Sequence, residues 1–254
     1  MFSKPAIIKT EAVVLRALDY GETSRIVTLY TAELGKLSVM ARGARSSKSR
    51  FGSTLDPMAH IQAIIYIKPS RELQSITDTS HSQHFRTIRN ELGRIEVGLK
   101  IIELTNAVMH DSEQNRDVFM LLTRVLAYLD HMEERYWNLF PYFQLSLASE
   151  YGFAPVFEKN AVADLTEDGG LLDLQSGEIR SGFSPGGSER RASRSGLRAF
   201  SILARAPIEK VTQMSLKPET SQEVSELIGA YMKTHFGDVI PERASRVFAQ
   251  FGLE

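Results

Sequence analysis

Residues 35–52 read GKLSVMARGARSSKSRFG, a stretch that contains both a strand and the loop that ends it. Leu37, Val39 and Ala41 alternate with the residues between them, which is the period-2 pattern of a strand with one buried face. Glycine and serine then replace the apolar residues, as is typical of a loop. No acid interrupts the cations of the stretch, which are Lys36, Arg42, Arg45, Lys48 and Arg50. The stretch therefore predicts a β-strand that leads into a basic loop.

Residues 1–80 have the pattern of a small all-β domain. Glycines and prolines separate segments that are rich in β-branched residues, at 7–16, 25–31, 36–42, 59–67 and 73–77. Strands this short and this close together suit a small closed barrel better than a sandwich, and the OB-fold is a common five-stranded form. We therefore predict an N-terminal five-stranded OB-fold barrel in an α+β multidomain chain.

The hydrophobic period becomes helical after His84. Apolar residues spaced three and four apart predict helices over 85–102, 118–129, 142–151, 196–206, 219–236 and 244–251. Residues 156–192 lose this period and end in a Ser/Gly/Arg-rich stretch. We predict four segments: an OB-fold nucleic-acid-binding domain at 1–80, a helical domain at 81–155, an irregular insert at 156–192, and C-terminal helices at 193–254 that complete the helical domain.

Positive charge is concentrated in the predicted barrel. The 254-residue chain has a formal net charge of −1, whereas residues 1–80 contain 11 Lys and Arg against 7 Asp and Glu. Cations on a loop of small residues are suited to backbone phosphates, and the aromatic residues Tyr20, Tyr30, Phe51 and Tyr66 nearby could stack on bases. Nucleic-acid contact is therefore the favoured interpretation. A solvated loop whose cations only aid solubility is the alternative. A second basic cluster includes Arg190, Arg191 and Arg194. Its pattern is equally compatible with nucleic-acid contact and with a solvated loop.

Nothing in the sequence supports catalysis or a bound cofactor. The chain has no cysteine, which excludes disulfides and thiolate metal sites. It contains no P-loop, dinucleotide-binding fingerprint or HExxH motif, and the acids between 164 and 178 are typical of a solvated face. His81 and His84 have ligand-like spacing but no third ligand nearby in sequence. The absence of a catalytic motif predicts a non-enzymatic protein. No apolar run approaches the ~20 residues of a membrane helix, so we expect a cytoplasmic protein without a membrane partner.

Four segments resemble one bacterial family. Residues 10–52, which include YGETSRIVTLYT and GKLSVMARGAR, closely resemble the N-terminal signature of the RecO family of recombination mediators. Residues 55–66, 142–155 and 241–248 extend the resemblance over most of the chain.

The resemblance implies an N-terminal OB-fold, a central helical domain and a small insert. It also implies binding of single- and double-stranded DNA, annealing of complementary strands, and loading of RecA onto DNA coated with single-strand-binding protein. The implied partners are RecR and the C-terminal tail of single-strand-binding protein, with RecA involved indirectly. The implied localisation is cytoplasmic and nucleoid-associated. The family's basic OB surface matches Arg42, Arg45, Lys48 and Arg50, together with Arg25 in the ETSR motif.

One departure concerns the insert. Many family members have two CxxC pairs after the GFAP motif and bind zinc there, whereas this chain has no cysteine for such a site. We therefore expect the insert to be mobile and held by a small apolar core, which is drawn from Val162, Leu165, Leu171, Leu172, Leu174, Ile179 and Phe183. Two other functions share the charge pattern, namely an OB-fold RNA-binding protein and a protein-binding adaptor.

Overall fold

The computed structural model describes residues 4–158, 161–182 and 184–237. These residues fall into two compact units, one up to His131 and one from Met132 onward. The predicted helix at 244–251, the resembling segment 241–248 and Phe183 lie outside the described residues. The division of the chain into four segments stays a prediction.

The first unit begins with a closed five-stranded barrel, as predicted. Its strands follow the order β1-β2-β3-β5-β4, and all neighbours are antiparallel except β3 and β5, whose parallel pairing closes the barrel. The strands are β1 (Ala6–Tyr20), β2 (Ser24–Thr31), β3 (Gly35–Ala41), β4 (His60–Ile67) and β5 (Gln74–Gln83). This arrangement confirms the predicted OB-fold barrel.

Two strands are longer than their sequence pattern predicts. β1 is 15 residues long because its first half pairs with β4 and its second half with β2. β5 continues to Gln83 through a polar run that lacks a strand pattern, because backbone pairing with β4 extends along its length. The residues that point inward are apolar and buried, and Phe51 of the basic loop joins them.

Two helices follow the barrel in the first unit, α1 (Leu92–Val108) and α2 (Arg116–His131). The first predicted helix began at residue 85, but α1 begins seven residues later. The buried Asp130 carboxylate accepts hydrogen bonds from the Thr87 amide at 2.7 Å and the Ile88 amide at 3.0 Å. Those amides are held outside a continuous helix, and residues 88–90 form a single 3-10 turn instead.

The second unit is helical and contains a small sheet. Its helices are α3 (Leu139–Glu150), α4 (Arg194–Arg205), α5 (Ile208–Val211) and α6 (Pro218–Phe236). The side chains of Phe143, Phe200 and Tyr231 are fully buried in this unit. No helix in the described ranges is both long enough and apolar enough to cross a bilayer.

The insert, predicted to be irregular, contains a three-stranded antiparallel sheet. Its strands are β6 (Gly170–Asp173), β7 (Ile179–Arg180) and β8 (Glu189–Ala192), in the order β7-β6-β8. They are too short to show an alternating pattern in the sequence. The Asp173 carboxylate accepts hydrogen bonds from two amides of the following turn and from the Ser188 hydroxyl, and these bonds lower its pKa. Five of the predicted apolar residues are buried: Leu165, Leu171, Leu172, Leu174 and Ile179. The mobility of the insert stays a prediction.

Candidate nucleic-acid interface

Three segments of the first unit meet at one end of the barrel. The Arg45 amide donates to the Thr23 carbonyl at 2.9 Å, which joins the loop after β3 to the β1–β2 turn. The Arg89 guanidinium donates to the Asp56 carboxylate at 3.0 Å and to the Ser53 carbonyl at 3.3 Å, which adds the segment after β5. We call this end of the barrel the basic pole and define it as residues 19–25, 42–56 and 86–89.

A chain of alternating charges crosses the basic pole. Asp19 lies between Arg45 and Arg25, at 3.1 Å from each, and Asp56 lies between Arg25 at 3.6 Å and Arg89 at 3.0 Å. These side chains are partly exposed, so the pairs contribute little to stability. The pairs fix the positions of three guanidinium groups. Because only two carboxylates pair with these three groups, a net positive charge remains.

Arg45 also anchors the basic loop. Its guanidinium donates to the carbonyls of Gly21 at 2.9 Å and Glu22 at 3.3 Å in the β1–β2 turn. Gly43, at the start of the loop, has a φ of +72°, a conformation that glycine adopts without strain. The hydroxyls of Ser46 and Ser49 accept hydrogen bonds from amides of the same loop. The loop is therefore built from local turns that are tied to the barrel by Arg45.

Three cations of the loop remain exposed. Arg42 and Lys48 have no acidic partner within the described part of the chain. The Arg50 guanidinium lies 5.4 Å from the centre of the Phe51 ring, a cation–π contact that leaves its charge without a neutralising carboxylate. These side chains are free to exchange water for phosphate oxygens.

The structure does not bring Lys36 to the basic pole. Lys36 lies near the start of β3 and Arg42 directly follows its end, a separation of about 20 Å. The Lys36 ammonium donates to the Asn106 carbonyl at 2.9 Å and lies 3.6 Å from the Asp111 carboxylate, and its side chain is only 14% exposed. These contacts connect the barrel to the end of α1.

The outer face of β1, β2 and β3 continues from the basic pole. Leu18, Ile26 and Met40 are cross-strand neighbours on this face, and the next row contains Arg16. Tyr20 is 56% exposed at the same end of β1. We call this surface the strand face. The strand face of OB-folds and the loops around it commonly bind oligonucleotides.

Sequence reasoning named Tyr20 as a residue that could stack on bases, but it did not assign Arg16 or Leu18, which lie beside it on β1, to a site. Arg16, Leu18 and Tyr20 are spaced two residues apart and therefore lie on one side of β1. This alternation is the feature of the sequence that could have identified the strand face. Two of the aromatic residues that were expected to stack on bases, Tyr30 and Phe51, cannot do so because they are buried, which corrects that prediction. Phe51 is buried in the barrel core, and the buried Tyr30 donates its hydroxyl to the Asn115 carbonyl at 3.0 Å. Burial raises the pKa of Tyr30.

The second basic cluster lies in the second unit and is partly neutralised. Arg190 and Arg191 are consecutive residues of β8, so their side chains leave opposite faces of the small sheet. The Arg194 guanidinium donates to the Glu167 carboxylate at 2.7 Å. Arg190 is exposed and has no acidic partner in the ranges that the structure describes. The predicted cluster is thus not a single cationic surface.

Two family models together match most of the chain. The family model "Recombination protein O N terminal" matches residues 6–85, and "Recombination protein O C terminal" matches residues 89–244. A DNA repair protein RecO of Salinibacter ruber is 44% identical over 245 residues, which are 96% of this chain and 94% of that relative. A DNA repair protein RecO of an Anaeromyxobacter strain is 31% identical over 91% of this chain and 92% of its own. One of Chlorobium limicola is 27% identical over 96% of this chain and 98% of its own. The chain therefore belongs to the RecO family of DNA repair proteins.

Proposed function

We propose that this protein is a non-enzymatic recombination mediator that binds single- and double-stranded DNA through the basic pole and the strand face. It anneals complementary strands and helps to load RecA onto DNA coated with single-strand-binding protein. The observation that supports this proposal is the placement of Arg42, Lys48 and Arg50, which are exposed and lie beside an apolar face that carries an exposed tyrosine.

Charge neutralisation supplies the mechanism. Each cation that meets a phosphate releases counterions from the strand and lowers the repulsion between that strand and its complement. Tyr20 offers a ring on which a base can stack, and Leu18 and Met40 offer apolar contact. Bases that are held apart from their own neighbours can then pair with a second strand. No covalent step is required.

The proposed protein partners are RecR and the C-terminal tail of single-strand-binding protein. That tail is acidic and ends in an aromatic residue, so it requires an apolar pocket with cations at the rim. Lys100 on α1 is an unsuitable candidate for this rim because its ammonium lies 2.5 Å from the Glu96 carboxylate. Arg116 on α2 is exposed and remains a candidate.

A salt-series titration tests the proposed function. Matched single-stranded DNA, duplex DNA and RNA are titrated with and without single-strand-binding protein. We expect both DNA forms to bind, with affinities that fall steeply as salt rises. A preference for RNA would favour an RNA-binding protein, since RNA recognition uses the 2′-hydroxyl. Failure to bind any oligonucleotide in dilute buffer would refute the proposal and favour a protein-binding adaptor.

Annealing provides the second test. Reversal of three charges in the variant Arg42→Glu/Lys48→Glu/Arg50→Glu should abolish annealing of complementary oligonucleotides. The matched control is Arg71→Glu, which changes an exposed arginine in the turn between β4 and β5. Circular dichroism shows whether each variant keeps its helices. A triple variant that is folded and anneals normally would contradict the assignment of the basic pole.

A further inference from the structure

A pocket of about 360 Å³ opens beside the basic pole, within the first unit. Its floor is apolar, with Met58, Phe85 and Ile88 all buried. Its rim is polar and consists of Ser53, His81, Gln83, His84, Arg86, Arg89 and Asn90. We call this cavity the histidine pocket. Its volume lies in the range of small-molecule sites, and its lining is more polar than is usual for them.

The histidine pocket is suited to an anion. Its lining contains two arginines and two histidines and no carboxylate. The nearby Asp56 carboxylate is already bound to Arg89 at 3.0 Å and lies 3.6 Å from the Arg25 guanidinium. Arg86 is exposed and has no acidic partner among the described residues. A negatively charged group at the mouth would therefore meet uncompensated positive charge.

The two histidine rings offer a surface for a planar group. The centres of the His81 and His84 rings lie 3.9 Å apart, and their planes are inclined by 39°. The Ser53 hydroxyl lies 3.1 Å from Nε2 of His81, whereas Nδ1 of His81 is buried and has no hydrogen-bond partner in the part of the chain that the structure describes. Burial lowers the pKa of His81, which keeps its ring neutral at neutral pH. A neutral ring can both stack on a base and hydrogen-bond to it.

The pocket is held in shape before any ligand arrives. The Asp130 carboxylate fixes the backbone between Arg86 and Arg89 through its bonds to two consecutive amides. Arg89 is oriented by Asp56 and by the Ser53 carbonyl. Preorganisation of this kind reduces the free-energy cost of ordering side chains on binding.

We propose that the histidine pocket binds one nucleotide, supplied by a DNA strand that lies on the basic pole. The phosphate lies between Arg86 and Arg89, and the unstacked base lies against the His81 and His84 rings. This inference rests on the proposed function for the source of the nucleotide. The charge chain through Asp56 makes the pocket continuous with the basic pole, so that a strand on the exposed cations can reach it.

The experiment observes the histidine ring protons by NMR at a constant, slightly alkaline pH. The probes are thymidine 5′-monophosphate, oligothymidylate and inorganic phosphate, and anisotropy of labelled oligothymidylate reports strand binding separately. We expect the monophosphate and the oligothymidylate to shift the His81 and His84 resonances. His110, whose side chain is 87% exposed outside the pocket, serves as the internal control.

Variants of exposed residues strengthen the test. His84→Ala and Arg86→Ala should each weaken binding of the monophosphate by about fivefold or more, the loss expected for one stacking or phosphate contact. Arg71→Ala should leave that affinity unchanged. Equal effects of all three substitutions would overturn the assignment.

The outcomes separate this inference from the proposed function. If oligothymidylate binds but both resonances stay in place, the pocket assignment is overturned while the proposed function stands. If the monophosphate shifts both resonances but oligothymidylate does not bind, the nucleotide site is supported and the proposed function is overturned. If phosphate alone gives the same shifts at the same concentration as the monophosphate, the base has no role and the nucleotide assignment is overturned.

Discussion

Neutralising three exposed cations should change the salt dependence of DNA binding in a measurable way. The variant Arg42→Gln/Lys48→Gln/Arg50→Gln removes positive charges that have no acidic partner in the described ranges. It keeps Arg25 and Arg45, which hold the β1–β2 turn and the basic loop together. The substitutions should therefore leave the barrel folded while removing phosphate contacts.

The size of the effect follows from counterion release. On single strands each phosphate contact contributes about −0.7 to the slope of log affinity against log salt. Loss of three contacts should make that slope shallower by about 2. Over a fourfold rise in salt, the affinity of the wild type relative to the variant should therefore fall by roughly 20-fold.

Anisotropy of labelled oligothymidylate at several salt concentrations measures both slopes. Arg71→Gln is the matched control and should keep the wild-type slope. A triple variant with reduced affinity but an unchanged slope would show that the loss does not come from phosphate contacts. An unchanged affinity and slope would show that these side chains do not touch the strand.

Further predictions concern the framework of the first unit. Asp130→Ala removes the acceptor of two buried amides and should lower the free energy of unfolding by about 1–3 kcal/mol in urea titrations. Asp130→Asn keeps one acceptor and should lower the free energy of unfolding less. Gly35→Ala places a side chain at a φ of +68° and against the backbone of Glu113, so its melting temperature should fall, whereas a wild-type melting curve would contradict the close approach. Burial lowers the pKa of His60 from its ordinary value of 6.5, so the unfolded chain binds the proton more tightly. The contribution of His60 is therefore complete above that value and is lost as the pH falls toward the folded pKa, by at most about 1.4 kcal/mol per pH unit. His60→Leu should lose less stability than the wild type between about pH 7.5 and pH 5.5, and parallel losses would refute the role of this ring.

The barrel could be predicted from sequence because its pattern is local. Leu37, Val39 and Ala41 lie on the buried side of β3, as their alternation indicates. The end of β5 could not be predicted in this way, because its polar residues are held by backbone pairing with β4 and not by burial of their own side chains. The late start of α1 has a similar cause, since the carboxylate that holds the preceding turn comes from Asp130, more than forty residues away.

The candidate site also contains some residues that could be predicted from the sequence and others that could not. A run of cations in the sequence identifies Arg42, Lys48 and Arg50, whose exposure depends on the loop in which they lie. It does not distinguish them from Lys36 and Arg45, because those two are held by carbonyl groups that other segments supply. The histidine pocket could not be predicted from the sequence, since its residues come from two segments, 53–59 and 81–90, that lie more than twenty residues apart in the chain.

The arrangement of charge explains how a protein of net charge −1 can present an exposed cationic surface. Two of the three carboxylates of the basic pole, those of Asp19 and Asp56, are engaged with guanidinium groups and orient them. These carboxylates compensate the charges of Arg25, Arg45 and Arg89. They do not compensate the three exposed cations, Arg42, Lys48 and Arg50. Those three are exposed to solvent, so each phosphate contact exchanges with water and is individually weak and reversible. A mediator that anneals strands must release its product, and for that purpose several weak contacts on a fixed frame are better suited than one rigid, tightly binding groove.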